Sequence, residues 1–440
     1  MSHQAGSPSQ GMPQRLMQFG APSVWLEFSP LAQSTKAINL GQGFPGWDPP
    51  EFVTHIAQEM VGKGAYAQYA RSAALALLAE KIAFHYRERL GRQIHWQDEV
   101  VVSVGCSEAL LLAFLALVDP EDEVILLEPS FDIYRGSLSM IGAKAVGVPL
   151  CFNGREFQVD VGSVQKAITS RTKALVLNTP HNPTGKVFSR DELTALAELL
   201  KKYPQITVIS DEVYEHLVFD EKKHLSIASL PGMKTRTVTL YSAGKTFSVT
   251  GWKIGWAIGP RELIQRMQIC QQWVVFSVAT PLQAAVAHCL DFAMKPYNGE
   301  LTYYHWLQKD YDAKRLSLMS HLRCAGFSPL TSEGSFFISV PLTSLPDSFS
   351  SALPNGYQQW VNEHQISIDV STLHHPDYNF CRSLTLVHRV AAIPYSAFYP
   401  PTQGFSTPPL ARFAFCKPQD QLDEAGLRLS SGQSTSRKTL

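Results

Sequence analysis

Apolar positions follow two periods along the chain. Between about residues 100 and 260, short runs rich in Val, Ile and Leu alternate with stretches whose apolar residues recur every three or four positions. Such alternation predicts parallel strands covered on both faces by amphipathic helices. Strands are predicted at Glu99–Val104, Glu123–Leu127, Ala145–Pro149, Ala174–Asn178, Ile206–Ser210, Thr237–Tyr241 and Ile254–Ile258. The intervening helices are predicted at Ser107–Leu117, Phe131–Ile141, Val161–Ala167 and Arg190–Lys202. Ser189 with Glu192 three residues on has the capping-box spacing and marks the start of the last of these. Ligands of open α/β sheets bind beyond the carboxyl ends of the strands, so the chemistry is expected in the loops that follow them.

Further helices are predicted near Pro260–Gln272 and after Pro281. From Tyr304 the texture becomes mixed, with a helix, a strand near Phe336–Val340 and another near Arg412–Cys416. The chain therefore reads as α/β with a second, smaller α+β domain. The predicted layout is a flexible leader over 1–21, an arm over 22–50 that joins the small domain, a large domain over 51–298, the small domain over 299–429, and a Ser-rich disordered tail over 430–440.

Composition narrows the function classes. With 440 residues, 45% of them hydrophobic and 17% charged, the chain has the make-up of a globular protein, which excludes a disordered or fibrous one. Lys and Arg number 38 and so do Asp and Glu, so no overall field favours nucleic acid or an anionic membrane. Any anion must be held by a local site. The seven cysteines lie far apart with no Cys-x-x-Cys pair, which argues against a disulfide framework or a zinc ribbon and for a reducing compartment. The longest apolar run, Ala109–Val118, is about half a bilayer span. The leader lacks a hydrophobic signal core, so a cytoplasmic location is expected, with mitochondrial import the alternative.

Four strand-end segments carry the chemistry. Lys245 stands in Ser242-Ala243-Gly244-Lys245-Thr246, directly after the apolar strand. Most lysines are solvated, but one set among small residues at a strand end can present a desolvated amine able to form a Schiff base. Asp211 ends another apolar strand, in Asp211-Glu212-Val213-Tyr214, where a buried carboxylate needs a cationic partner such as a pyridinium nitrogen. Tyr214 is placed to reach a ring oxygen. Asn182, in a turn made rigid by Pro180 and Pro183, has the same reach. Val104-Gly105-Cys106-Ser107 is a strand, a glycine and a helix start, an anion site that Ser107, Ser242 and Lys253 could complete. Phe131 is a candidate ring-stacking side chain. Arg412 sits in an apolar, strand-like stretch. If it points inward it calls for a carboxylate, and periodicity leaves its direction open.

Taken in order and spacing, these segments resemble the class I and II aminotransferases of fold type I, which bind pyridoxal 5′-phosphate. Within them the chain looks closest to the kynurenine aminotransferase or cysteine-S-conjugate β-lyase group. The residues that carry the likeness are Val24 to Phe28, Asn39-Leu40-Gly41-Gln42-Gly43-Phe44-Pro45, Leu175 to Gly185, Asp211 to Glu215 and Ser242 to Trp256. The resemblance implies an aspartate-aminotransferase-like fold and a homodimer, with Tyr69 reaching the cofactor phosphate of the partner subunit. It implies Lys245 as the Schiff-base lysine and proton shuttle, Asp211 on the ring nitrogen, and Tyr214 and Asn182 on the phenolic oxygen. Phe131 would stack on the ring beside Cys106, and Ser107, Ser242 and Lys253 would hold the phosphate. Arg412, helped by Gly43 and Asn182, would clamp the substrate carboxylate, while Trp25, Phe276 and Phe336 would line the side-chain pocket.

The implied reaction moves an amino group from L-kynurenine, glutamine, methionine or an aromatic amino acid to a 2-oxo acid, with β-elimination when Cβ bears a leaving group. Other readings are a methionine or aromatic aminotransferase of the same fold and a non-catalytic relative that binds the cofactor. The chain departs from the family pattern in three places. Arg71 to Leu77 lacks the usual glycines, Ser107 stands where an aromatic residue is common, and Ser277 replaces a histidine found in some members. Residues 366–388 read as an insertion, either a surface loop or a gene-model artefact.

Overall fold

The computed structural model describes residues 22–400 and 408–436. The expectations for the leader 1–21 and for residues 437–440 lie outside the described residues. Seven strands form the large sheet: β1 (Val100–Val104), β2 (Glu123–Glu128), β3 (Lys144–Pro149), β4 (Thr172–Asn178), β5 (Thr207–Asp211), β6 (Thr237–Ser242) and β7 (Ile254–Ile258). Their order is β1-β7-β6-β5-β4-β2-β3, with β7 antiparallel to both neighbours. Successive residues face opposite layers. Val124 and Leu126 pack with the helix Gly105–Leu117, whereas Ile125 and Leu127 pack with the helix Arg190–Lys201. Burial of both faces is what allows near-continuous apolar strands in a parallel sheet. The capping box at Ser189 and Glu192 is formed, with each residue's backbone N–H donating to the other's side chain.

A second, three-stranded sheet consists of β8 (Phe337–Pro341), β9 (Ile393–Pro394) and β10 (Leu410–Ala414), with β10 in the middle. Arg412 sits on β10 opposite Ser339 and Ile393. The predicted C-terminal strand is thus displaced, because Phe415 and Cys416 leave the ladder.

Two expectations are corrected. The segment 366–388 is no surface loop. It holds a short 3₁₀ turn, Val370–His374, and the helix Pro376–Val387, whose Phe380, Cys381, Arg382 and Leu384 are buried. The tail expected to be disordered from 430 instead continues the helix Gln419–Ser436. Among the described residues no helix is long and apolar enough to cross a membrane.

Gly255 on β7 is where the large sheet meets the helix starting at Gly105. A Cβ at 255 would lie 2.5 Å from the backbone N of Cys106 and 2.6 Å from the carbonyl carbon of Gly105. Neither atom is free to move. Gly255→Ala is therefore expected to destabilise the protein by about 2 kcal/mol in urea unfolding. Gly251→Ala, with open space around it, is the control expected to change little; equal midpoints for the two variants would contradict the packing argument.

Candidate active site

The carboxyl ends of β1, β4, β5 and β6 open into a cavity of about 300 Å³ bounded on the other side by the N-terminal arm and β10. Its wall includes Lys245, Asp211, Tyr214, Asn182, Phe131, Cys106, Ser107, Ser242, Lys253, Arg412, Gly43 and Trp25. Each of these was singled out from the sequence.

Lys245 follows β6 in a one-turn helix, Ala243–Thr246. Its Nζ donates to the Gly43 carbonyl at 2.9 Å and lies 5.0 Å from the Phe336 ring centroid and 5.8 Å from that of Tyr214. Burial, reinforced by Arg412 and Lys253 and opposed by Asp211, pushes its pKa down to about 8. An amine so poised is partly neutral, and nucleophilic, near neutral pH.

Asp211 ends β5. Its Oδ2 accepts from the Tyr134 hydroxyl at 2.6 Å and its Oδ1 from the Val213 N–H at 3.3 Å, with the Cys106 sulfur 3.9 Å from Oδ1. Burial raises its pKa despite these donors. A cation facing it would offset that desolvation, which is what a protonated pyridine nitrogen offers.

The opposite end is built for an anion. Gly105, at φ +72°, opens the helix Gly105–Leu117, and a Cβ there would stand 3.1 Å from the Lys253 Nζ. A helix start, two hydroxyls and an ammonium thus converge on one spot. Carboxylate, amine and anion cradle, arranged around one cavity, fit pyridoxal 5′-phosphate.

The third component is a buried arginine. Arg412 is 1% exposed. Its Nη1 donates to Asn182 Oδ1 at 2.8 Å and its Nη2 to the Gly41 carbonyl at 2.6 Å, while Nε has no partner. Burial lowers its pKa to about 10. An unpaired buried donor on a guanidinium calls for an anionic ligand. Because Asn182 gives its oxygen to Arg412, its amide N–H groups remain for the ring.

One expected wall residue is displaced by a neighbour, and two others lie away from this chain's own cavity. Phe336 is wholly buried behind Tyr214, at 4.9 Å between centroids, and the cavity wall is its neighbour Phe337, 4.1 Å from the Arg412 guanidinium. Consecutive strand residues face opposite sides, so a one-residue shift exchanges wall and core. Tyr69 and Phe276 stand edge to face at 5.2 Å, exposed by 81% and 52%, and neither lines this chain's own cavity. Ser277 donates to the Ala70 carbonyl and Thr280 to that of Gln68, tying down the Tyr69 loop in place of the missing glycines. Sequence reasoning missed Tyr134, whose signal is its position three residues after Phe131 on one helix face, and Asn178, whose Oδ1 accepts from the Asn182 N–H at 2.8 Å.

Comparison with known proteins fits this geometry. The family model for aminotransferase class I and II matches residues 35–425. A kynurenine–oxoglutarate transaminase of Dictyostelium discoideum is 39% identical over 419 residues, which cover 92% of each chain. The solved N-succinyldiaminopimelate aminotransferase of Mycobacterium tuberculosis superposes with a TM-score of 0.82 at 39% identity, covering 96% of this chain and all of that one. YbdL of Escherichia coli, titled a methionine aminotransferase, gives 0.82 at 32% identity over 96% and 99%. The chain belongs to the class I and II aminotransferases; it is a transaminase of the aspartate-aminotransferase-like fold, and its cofactor is pyridoxal 5′-phosphate.

The Lys245 amine must be neutral to capture the cofactor aldehyde. Because its pKa is lowered to about 8 rather than left at 10.5, the rate of cofactor capture by the apoprotein is expected to rise with pH through about 8 and then level off. A midpoint above pH 10, read by stopped-flow absorbance, would contradict the burial argument.

Proposed function

We propose that this transaminase takes its amino group from L-kynurenine or a related amino acid without a charged side chain (glutamine, methionine or an aromatic one) and passes it to a 2-oxo acid. The observation that carries the reading is the lining around Arg412: Trp25, Phe44, Ile133 and Phe337 form an apolar wall in which, among the described residues, Arg412 is the one cation outside the cofactor end. A donor with a distal carboxylate, such as N-succinyldiaminopimelate, would need a second one, and the other cations of the wall, Lys245 and Lys253, belong to the cofactor end. With a leaving group on Cβ the same site would support β-elimination.

In this reading Arg412 and the Asn182 amide fix the substrate carboxylate. Lys245 would take the proton from Cα and deliver it to the cofactor carbon two bonds away, across the shared nitrogen. Asp211, held by Tyr134, keeps the ring nitrogen protonated, while Tyr214 and Asn182 donate to the ring oxygen. Ser107, Ser242 and Lys253 hold the phosphate. When bound, the cofactor supplies the electron sink.

A donor panel with 2-oxoglutarate and pyruvate is expected to give a higher kcat/KM for kynurenine, phenylalanine and methionine than for N-succinyldiaminopimelate; the reverse order would overturn the apolar-donor reading. Methionine exceeding kynurenine would favour the methionine aminotransferase reading. Arg412→Lys, which loses the planar fork, is expected to lower kcat/KM for every donor roughly a hundredfold. Lys245→Ala is expected to abolish turnover.

We also infer a homodimer with shared sites. Tyr69, Phe276, Ile269, Trp273 and Val274 form an exposed apolar patch of the kind that marks an interface. Mixed dimers of Lys245→Ala and Tyr69→Ala chains contain one intact site if Tyr69 serves the partner. Their activity is expected to exceed the sum of the two parents, and no gain on mixing would contradict the sharing.

A further inference from the structure

Arg382, on the helix Pro376–Val387, is fully buried and uses every donor it has. Its Nε and Nη2 grip Glu27 at 2.7 and 3.0 Å, Nη1 donates to the Thr372 carbonyl at 3.0 Å and to Asn379 Oδ1 at 3.1 Å, and Nη2 also reaches the Thr372 hydroxyl at 2.7 Å. Glu27 in turn accepts from the Tyr357 hydroxyl at 2.6 Å. A fully satisfied buried pair of this kind contributes little net stability against an apolar pair, but it admits only one register.

Glu27 lies in the helix Val24–Ser34, two residues after Trp25. Trp25 stands at the cavity wall, its Nε1 donating to Asp132 Oδ2 at 2.9 Å across the cleft and its ring 5.6 Å from the Arg412 guanidinium. The helix Pro376–Val387 also holds a segment that packs on Arg412. Asp377 accepts from the Ser396 N–H at 2.7 Å and the Ser396 hydroxyl at 2.9 Å, which fixes the turn Tyr395–Phe398. Phe398 of that turn lies 4.8 Å from the Arg412 guanidinium. One helix thus anchors two of the three aromatic side chains that flank Arg412, from separate parts of the chain.

We propose that Arg382 and Asp377 are positioning residues for substrate side-chain selection: through Glu27 and Ser396 they fix Trp25 and Phe398 beside Arg412. Arg382 touches neither substrate nor cofactor and acts only through Trp25. The proposal rests on the reading that a substrate side chain meets Trp25, and the test separates the two.

The probes are two unreactive acids, 3-phenylpropionate, which carries a ring, and propionate, which does not, titrated calorimetrically into the holoenzyme. The Glu27→Gln/Arg382→Met variant removes both charges together, so neither is left buried alone. It is expected to bind 3-phenylpropionate about fivefold more weakly, the size of one aromatic contact, and propionate as the wild type does. In a Trp25→Ala background the same pair of changes is expected to add nothing further. Arg382→Lys, which keeps the charge but not the fork, is expected to behave like the double variant. Should that variant fail to fold, Glu27→Gln alone, which keeps the shape, is read in its place and is expected to move in the same direction.

Equal weakening of both acids, no weakening, or effects that add to those of Trp25→Ala would each overturn the positioning role. A wild-type enzyme that binds 3-phenylpropionate no more tightly than propionate would overturn the aromatic-donor reading, and the positioning role with it. A wild-type preference that is undiminished in the Arg382 variants would overturn only the positioning role.

Discussion

Taking one ammonium out of water constrains most of the site. Lys245 is partly withdrawn from solvent at the end of β6, where its Nζ donates to the Gly43 carbonyl with two aromatic faces about it. A charged amine in that setting is costly, and two further cations, Arg412 and Lys253, raise the cost. The group responds by releasing its proton more readily, which is the state that covalent chemistry requires. The carboxylate of Asp211 moderates the shift but is itself desolvated, so each group leaves the other short of compensation. A ring carrying a cationic nitrogen at one end and a phosphate at the other would compensate Asp211 and the cations Lys245, Lys253 and Arg412 that line the same cavity.

The frame that holds these charges in place works by close approach. Gly43 must be glycine because a Cβ would stand 2.6 Å from the Phe337 ring, and Gly255 because one would meet the backbone of the next helix start. Both contacts bring elements distant in sequence into close approach, Gly43 against two aromatic rings and Gly255 against the backbone of the next helix start, and so fix the loops that carry the lysine and the anion cradle. Rigid placement of this sort is the source of orientation effects in catalysis. The buried pair Glu27 and Arg382 extends the same logic to the arm that carries Trp25.

The parallel sheet was legible because its strands are apolar on both faces and its helices are not, and the predicted strand boundaries differ from the observed ones by one or two residues at most. Lys245, Asp211, Asn182 and the Gly105 turn were legible because each follows such a strand directly. Phe336 and Phe337 could not be told apart, since both are aromatic and only the register of β8 decides which faces the cavity. The helix at 376–387 was hidden for another reason: polar residues such as Asn379, Arg382, Ser383 and Thr385 are buried there, so it lacks the apolar stripe that marks a helix against a core. Its burial depends on ion pairing with Glu27, more than three hundred residues earlier, which no local pattern records. Tyr69 was legible only through the family resemblance, because an exposed tyrosine that lines no cavity of its own chain is not marked by any local period.

The most direct measurement is to reduce the holoenzyme with borohydride, digest it and locate the cofactor on a peptide by mass spectrometry. The account predicts the cofactor on Lys245 alone, at about one per subunit, and none in Lys245→Ala. Cofactor fixed to Lys253 or to any other lysine, or holoenzyme that loses all of it on reduction and unfolding, would contradict the account.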